Sequence, residues 1–267
     1  MLESLHFSYD GKSSQDMGVM MVNADGGLYK EIFLPSRKII EKTIPNRHAP
    51  YFVRVDDSPL SFPLSIAVFD RPERNSIRSI ARWLFTDYYK PLYFESNPHR
   101  IFYAMFEGNS TLLHNGLKDS YITLNVRTNS PYTYSPPKTE ILDVYGSATR
   151  EFFNEGDLDI RPKLIITKRG AGSISITNNS TGEELKINDM WDGEIATLDC
   201  VNEQITSSYE YNNRYLFDKH NDVWLDWKAD SNTQFTFTGN FTVEFIFEYA
   251  YLQEYDELSP DGGAPCR

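Results

Sequence analysis

Cysteine is scarce in this sequence, and long apolar segments are missing from it. Among 267 residues only Cys200 and Cys266 are cysteines, which excludes a disulfide framework. Without a CxxC pair, a metal site built on cysteine is not indicated either. No stretch approaches the roughly 18 apolar residues of a membrane-spanning helix. The opening residues MLESLHFSYDG contain neither a basic segment nor an apolar one, so no secretory signal is expected.

Basic clusters are also missing. The 26 Lys and Arg residues are outnumbered by 38 Asp and Glu, giving a net charge of −12 and a pI near 4.9. Proteins that bind a phosphate backbone need clustered basic side chains, so sequence-specific nucleic-acid binding is not expected. An acidic surface favours solubility and repels nucleic acid.

The signatures of common enzymes are absent. The sequence has no GxGxxG or Walker loop, no HExxH, no GxSxG elbow, and its five histidines are far apart. Acidic neighbours such as Asp157/Asp159 or Glu183/Glu184 are ordinary in an acidic chain. A glycosidase would need two carboxyl groups facing each other about 5–10 Å apart. The sequence therefore predicts no catalytic, cofactor-binding or metal-ligating residue, and a protein that is not an enzyme.

Aromatic residues, in contrast, are abundant: 17 Tyr, 17 Phe and 4 Trp make up 14% of the chain. They supply enough apolar side chain for one or two cores and argue against disorder. The length favours two domains. The opening stretch FSYDGKSSQDMGVMMV, residues 7–22, predicts a hairpin with Phe7 and Tyr9 before a turn that begins at Asp10-Gly11, and apolar residues 17–22 after it. In YITLNV, residues 121–126, the period of two predicts a strand with one buried face.

One helix is predicted near residues 71–86. Asp70 is a good N-cap, and Glu73 has the spacing of a capping box. Its apolar stripe consists of Ile77, Ile80, Ala81 and Leu84. Arg74, Arg78 and Arg82 repeat every four residues on another face. These arginines form either a solvated face or a contact with acidic residues of a neighbouring subunit.

The segment SPYTYSPPK, residues 130–138, is the best linker candidate, because it has three prolines and no periodicity. It separates an N-terminal β-rich domain with one helix, residues 1–135, from residues 139–252. The short strands and turns of the latter predict a β-sandwich. Its last long strand alternates Phe241, Val243, Phe245 and Phe247 with mostly polar residues. Residues 253–267 are expected to be a flexible tail.

Three tryptophans of the second half are candidates for a sugar-binding platform. Trp191 falls in an apparent turn, and VWLDWK is interpreted as a strand with Trp224 and Trp227 on opposite faces. The alternative is that at least one of them belongs to the sandwich core.

The order of several motifs resembles the distal tail protein (Dit) family of long-tailed phages, especially those of Gram-positive hosts. The motifs are FSYDGKSSQDMGV, the helix RSIARWL followed by YKPLYF, then RIFYAMFEG, SPYTYS and ISITNNSTGEEL. The resemblance covers nearly all of residues 1–252. It implies a structural virion protein of the tail tip, made in the cytoplasm of the bacterial host, with a galectin-like C-terminal sandwich.

The resemblance further implies a homohexameric ring, possibly two stacked rings, through which DNA passes. Its partners would be the tail tube protein, the tape-measure protein and the receptor-binding proteins of the tail tip. No cofactor is implied.

Closed rings repeat one heterologous contact, and open strand edges are adhesive. We therefore expect the opening hairpin and the strands around KIIEKTI to contribute to the ring. The candidate contact residues are Lys12, Ile39, Ile40, Lys42, Arg74, Arg78 and Arg82. Alternatively, the opening hairpin is only an edge of its own domain core. The runner-up function is a stand-alone carbohydrate-binding β-sandwich, and an unrecognised hydrolase ranks third.

Overall fold

The computed structural model describes residues 4–22, 34–68, 74–114 and 120–252. The chain divides into two compact units, with the boundary between Tyr134 and Ser135. The C-terminal unit extends to Tyr251. The fold is mainly β, as predicted, and Arg74–Leu84 is the only α-helix in the described ranges. The predicted cap residues Asp70 and Glu73 and the predicted flexible tail 253–267 lie outside these ranges.

The elements of the N-terminal unit are β1 (Phe7–Tyr9), β2 (Lys12–Ser13), β3 (Val19–Met21), β4 (Arg37–Lys42), β5 (Tyr51–Asp57), β6 (Ser61–Val68), α1 (Arg74–Leu84), β7 (Lys90–Phe94), β8 (Asn97–His114), β9 (Ser120–Thr128) and β10 (Thr133–Tyr134). The unit is built on one antiparallel sheet with the strand order β2-β1-β7-β8-β9-β6-β3, with β10 paired to β8. A separate two-stranded sheet is formed by β4 and β5.

The predicted hairpin between Phe7–Tyr9 and residues 17–22 is wrong. Asp10 and Gly11 both have positive φ angles, 50° and 73°, as a two-residue turn of type I′ requires. The chain therefore reverses at once, and β1 pairs with β2 and, on its other edge, with β7. Strand β3 instead pairs with β6 at the other end of the strand order.

Trp83 of α1 organises the core of this unit. Its ring stacks on Phe7 with centroids 5.6 Å apart, and its Nε1–H donates a 2.7 Å hydrogen bond to the carbonyl oxygen of Tyr9. The predicted stripe holds at the buried Ile80 and Leu84, but Ala81 is exposed and Trp83 is buried instead. The buried side of the helix therefore runs through Ile80, Trp83 and Leu84, and the Trp83 ring packs against β1.

The strands of the C-terminal unit are β11 (Lys138–Asn154), β12 (Lys163–Lys168), β13 (Gly172–Asn178), β14 (Glu184–Met190), β15 (Ile195–Asp199), β16 (Gln204–Ser207), β17 (Ser231–Phe247) and β18 (Ala250–Tyr251). They build a second antiparallel sheet with the order β14-β13-β17-β12-β15-β16, and β11 pairs with β17 along its length. Two 3-10 helices, Glu210–Asn212 and Phe217–Lys219, follow β16.

Strand β17 bends sharply, so that its two halves face each other and the sheet curls into two layers. A straight strand would hold the Cα atoms of Phe237 and Phe245 about 26 Å apart, yet their ring centroids lie 6.0 Å apart. The bend lies at Gly239, whose φ is +126° and where an added Cβ would come within 3.1 Å of the carbonyl oxygen of Ser173. Gly146 of β11, which pairs with Gly239, also has a positive φ. Only glycine adopts these angles without strain.

VWLDWK is not a strand, which corrects the sequence interpretation. Only Trp227 of this segment makes a β-bridge, with Ile160. Its side chain is 1% exposed and stacks on Phe152 with centroids 5.0 Å apart. Trp227 is therefore core and cannot serve as a sugar platform, because no ligand reaches its ring. No helix in the described ranges is long and apolar enough to span a membrane.

We expect Trp83→Ala to lower the free energy of unfolding of the N-terminal unit by about 3–5 kcal/mol, since it removes a buried ring and leaves a cavity. The matched control is Phe85→Ala, one position beyond the same helix, where the ring is exposed. Urea denaturation of the full chain measures both. Equal effects of the two substitutions would contradict the central role given to Trp83.

Candidate interaction surfaces

Strands β4 and β5 form a hairpin that pairs with no other strand of the described chain. Their register places Ile39 opposite Val55 and Arg37 opposite Asp57, with an irregularity between Ile40 and Glu41. An isolated two-stranded hairpin is only marginally stable in water. Packing against another surface would therefore stabilise the β4–β5 hairpin.

The two faces of this hairpin differ. Side chains alternate along a strand, and residues paired across two antiparallel strands share a face. Ile39 therefore lies on one side with Val55 and, because the irregularity shifts the register, with Phe52, which pairs with Glu41. We call Ile39, Phe52 and Val55 the hairpin apolar face. Ile39 is 62% exposed and Phe52 is 56% exposed. The opposite side carries mainly charged residues, among them Lys38, Arg54 and Asp56.

Ion pairs contribute little to hold the hairpin. Arg37 Nε lies 2.7 Å from Asp57 Oδ1, and Arg54 Nε lies 2.7 Å from Asp56 Oδ1. Both arginines are largely exposed, and exposed pairs stabilise by only about 0–1 kcal/mol. Burial of the hairpin apolar face against another surface would therefore stabilise the hairpin more than these ion pairs do.

A second surface, in the C-terminal unit, is a row of three aromatic rings. The centroid of Trp191, just after β14, lies 5.5 Å from that of Tyr209, and the centroid of Tyr209 lies 6.1 Å from that of Tyr211. Both tyrosines follow β16. We call Trp191, Tyr209 and Tyr211 the aromatic row. Trp191 is 43% exposed and Tyr211 is 76% exposed.

A buried ion pair lies beside the aromatic row. The Arg214 guanidinium is 4.2 Å from the centroid of the Trp191 ring. It donates two hydrogen bonds to the Glu194 carboxylate, at 2.8 and 2.9 Å. Glu194 is fully buried and also accepts hydrogen bonds from Ser207 Oγ at 2.6 Å and from the Trp191 backbone N–H at 2.8 Å.

These contacts keep Glu194 ionised. Burial by itself would raise its pKa, but the hydrogen bonds from Arg214, Ser207 and Trp191 and the charge of Arg214 outweigh burial and lower the pKa below its usual value. A carboxylate and a guanidinium are thus fixed together at the base of an open aromatic surface.

No group of three or more His, Cys, Asp or Glu side chains that could hold a metal ion is found in the described part of the chain. The Cys200 thiol is buried, and burial raises its pKa to about 11.

Comparison with known proteins identifies the chain. Residues 2–130 match the model of a phage tail protein N-terminal domain, and residues 132–247 match that of a phage tail C-terminal domain. The chain belongs to the phage tail protein family. It is also 30% identical over 256 residues to the SPbeta prophage-derived protein YomH of Bacillus subtilis (strain 168), covering 94% of this chain and 99% of that protein.

The fold of this phage tail protein is that of the Dit protein of phage SPP1, described as a paradigm of the hub adsorption apparatus in phages infecting Gram-positive hosts. The TM-score is 0.68 at 20% identity, over 91% of this chain and 98% of SPP1 Dit. A chain of the phage P2 baseplate is similar with a TM-score of 0.52 at 5% identity, over 91% of this chain and 97% of that chain. The resemblance to phage tail proteins with the Dit fold is thereby confirmed.

The predicted contact residues of this phage tail protein fall on separate elements. Ile39, Ile40 and Lys42 lie on β4, with Ile39 on the hairpin apolar face and Ile40 half-buried on the other side. Lys12 is exposed on β2, which ends the strand order of the main sheet. Their role in a contact between subunits remains a prediction.

The arginine repeat lies on α1, where Arg78 and Arg82 are exposed. The side chain of Arg74 lies outside the described part of the helix. Exposure fits both a solvated face and a contact with a neighbouring subunit.

The three tryptophans proposed as a platform do not form a common surface. Trp227 is core, and Trp224 is half-buried with its ring against His220, at a centroid distance of 4.6 Å. Trp191 alone joins the aromatic row. Sequence reasoning missed the partners Tyr209, Tyr211 and Arg214. The available signal was the density of aromatic residues in SSYEYNNRYLF, a segment without strand alternation.

We expect Glu194→Gln to destabilise the C-terminal unit by about 3 kcal/mol at pH 7, because it leaves the charge of Arg214 buried without its partner. The matched control is Glu203→Gln, which breaks an exposed pair with Arg161 at 3.3 Å and should cost about 1 kcal/mol or less. Urea denaturation measures both.

The pH dependence follows from the lowered pKa of Glu194. Its contribution is fully present above the unfolded value of about 4.3 and is lost as the pH falls through the lower folded value. The difference between the wild-type protein and Glu194→Gln should therefore shrink in acid. A difference that stays constant down to low pH would refute this assignment.

Proposed function

We propose that this phage tail protein is a distal tail hub. Six copies form a ring at the tail tip, which connects the tail tube to the host-adsorption apparatus and lets DNA pass. The observation that carries the proposal is the hairpin apolar face. It is an exposed apolar surface on an element with little stability of its own, in a chain that shares its fold with SPP1 Dit.

The occupant of the hairpin apolar face is a second copy of this chain. In a cyclic ring each subunit offers one surface to the next and receives a different one. A hairpin that stands apart from the main sheet is suited to this, because Ile39 and Phe52 can be buried against a neighbour. Burial there also supplies the support that an isolated hairpin needs.

Strand β2 and the exposed arginines of α1 are further contact candidates. Lys12 lies on an edge strand that leaves backbone groups open to pairing. Arg78 and Arg82 suit the acidic surface of a neighbouring copy, since the net charge of each chain is −12. Strand β1 is different: Phe7 and Tyr9 are buried in the subunit's own core, so deleting residues 1–22 would unfold the unit and would not isolate a ring contact.

The negative charge suits a channel for DNA. Carboxylates along the lumen repel phosphates, within a range of about 8 Å at physiological salt, so DNA passes without adhering. The proposed partners along the tail axis are the tail tube and tape-measure proteins on one side and the receptor-binding proteins of the tip on the other. The virion tail tip is the corresponding location, and the chemistry of this role is assembly rather than catalysis.

We expect the purified full chain to form hexamers and Ile39→Glu to reduce them to monomers, because a buried unpaired carboxylate opposes the contact. The matched control is Ile141→Glu on β11, an isoleucine of similar exposure, 67%, in the C-terminal unit. Size exclusion with light scattering gives the mass, and negative-stain imaging shows whether the particle is a ring.

The hub proposal fails if the wild-type chain stays monomeric both alone and with its tail tube and tip partners. If the ring forms but Ile39→Glu leaves it intact, the hub survives and the assigned contact is wrong. If Ile39→Glu and Ile141→Glu both dissociate the ring, the assignment of the contact to the hairpin apolar face alone is wrong.

A further inference from the structure

We propose that the aromatic row of the C-terminal unit is a binding site for a neutral saccharide. Trp191 and Tyr211 stack on the C–H faces of the sugar rings, and Asp189 and Lys219 bind its hydroxyl groups. The site goes beyond the role of a hub and rests on different residues from those of the ring contact.

The geometry of the row suits stacked sugar rings. Its centroid steps of 5.5 and 6.1 Å connect three rings inclined to one another by 54° and 40°, so the surface curves instead of lying flat. The Arg214 guanidinium covers one face of the Trp191 ring, while Trp191 and Tyr211 as a whole remain exposed. Tyrosine and tryptophan combine an apolar face with a polar tip, the combination that a molecule with C–H faces and hydroxyl edges requires.

The row is held in place by the ion pair beside it. Arg214 packs on the Trp191 ring and forms a bidentate pair with the buried Glu194, and it also hydrogen-bonds the carbonyl oxygen of Asp189. A buried ion pair is a poor way to gain stability, since apolar residues of the same volume serve as well or better. Here it fixes the position of an exposed ring, which is the preorganisation that a binding site needs.

The polar residues beside the row sit in defined turns. Asp189 and Asn213 have φ angles of +53° and +58°, a left-handed conformation in which aspartate and asparagine are enriched. The segment from Ser208 to Asp230 contains two 3-10 helices and no regular strand, and its turns bring Tyr209 and Arg214 beside Trp191.

The charges around the row disfavour an anionic ligand. Glu194 and Arg214 neutralise each other, and the exposed carboxylate of Asp189 has the Lys219 ammonium 3.8 Å away. Glu210, between the two tyrosines of the row, adds a carboxylate that accepts a hydrogen bond from the Ser207 backbone N–H, so the surroundings repel anions. The site does offer a carboxylate acceptor and an ammonium donor beside the aromatic rings, the few oriented polar groups that typify small-molecule sites.

The test is a printed array of defined oligosaccharides, including glucose, galactose and N-acetylglucosamine oligomers, probed with the full chain. Saturation-transfer NMR and calorimetric titration then follow with the saccharide that binds best. The variants are Trp191→Ala and Tyr211→Ala. The matched control is Tyr145→Ala, a tyrosine of similar exposure, 71%, elsewhere in the same unit.

We expect at least one saccharide to bind and each variant of the row to weaken it about tenfold, as the loss of a stacked ring predicts, while Tyr145→Ala binds like the wild type. Thermal melting monitors folding. If Trp191→Ala unfolds because it loses its contact with Arg214, Tyr211→Ala decides the test, since Tyr211 is 76% exposed.

The proposal is overturned if no saccharide of the array binds at millimolar concentration. It is also overturned if Tyr211→Ala binds as tightly as the wild type or if Tyr145→Ala weakens binding equally. If no saccharide binds, the aromatic row would instead be interpreted as a surface that contacts another protein. The ring experiment reports on a surface of the N-terminal unit, so either proposal can fail without the other.

Discussion

The bend of β17 is the constraint on which the C-terminal unit depends. This one strand pairs along its full length with β11 and shares its other edge between β12 and β13. Its buried phenylalanines on both sides of Gly239 meet in the same core, so the strand supplies both layers. Two glycines in register make the bend possible, since a side chain at Gly239 would collide with the backbone of β13.

The N-terminal unit combines a tightly packed core with an element left open. Trp83 connects the helix to β1 by stacking and by a hydrogen bond, so the sheet and helix share one interior. The β4–β5 hairpin, by contrast, exposes Ile39 and Phe52. Exposed apolar surface on an open strand pair risks aggregation in a monomer. A chain that buries this surface by assembling avoids that risk. For this reason we place the main ring contact of the proposed hub at the hairpin.

The two proposed surfaces rely on different physics. The hairpin apolar face is weakly held and would be completed by a partner, whereas the aromatic row is held rigid in the monomer by Glu194 and Arg214. A contact that repeats in a ring tolerates an element that becomes ordered on binding. A site for a small ligand requires preorganised groups, because few contacts are available to offset the cost of ordering them.

Much of this architecture was predictable from the sequence, because strand alternation and turn residues act locally. The buried positions Phe241, Val243 and Phe245 follow from their period of two, and the mainly β fold follows from the same pattern. The pairing partners were not predictable, because a short strand such as β1 can pair with any edge that its turn reaches. Neither was the surface row: Trp191 and Tyr211 come from different turns, and only the tertiary structure decided that they meet while Trp227 is buried.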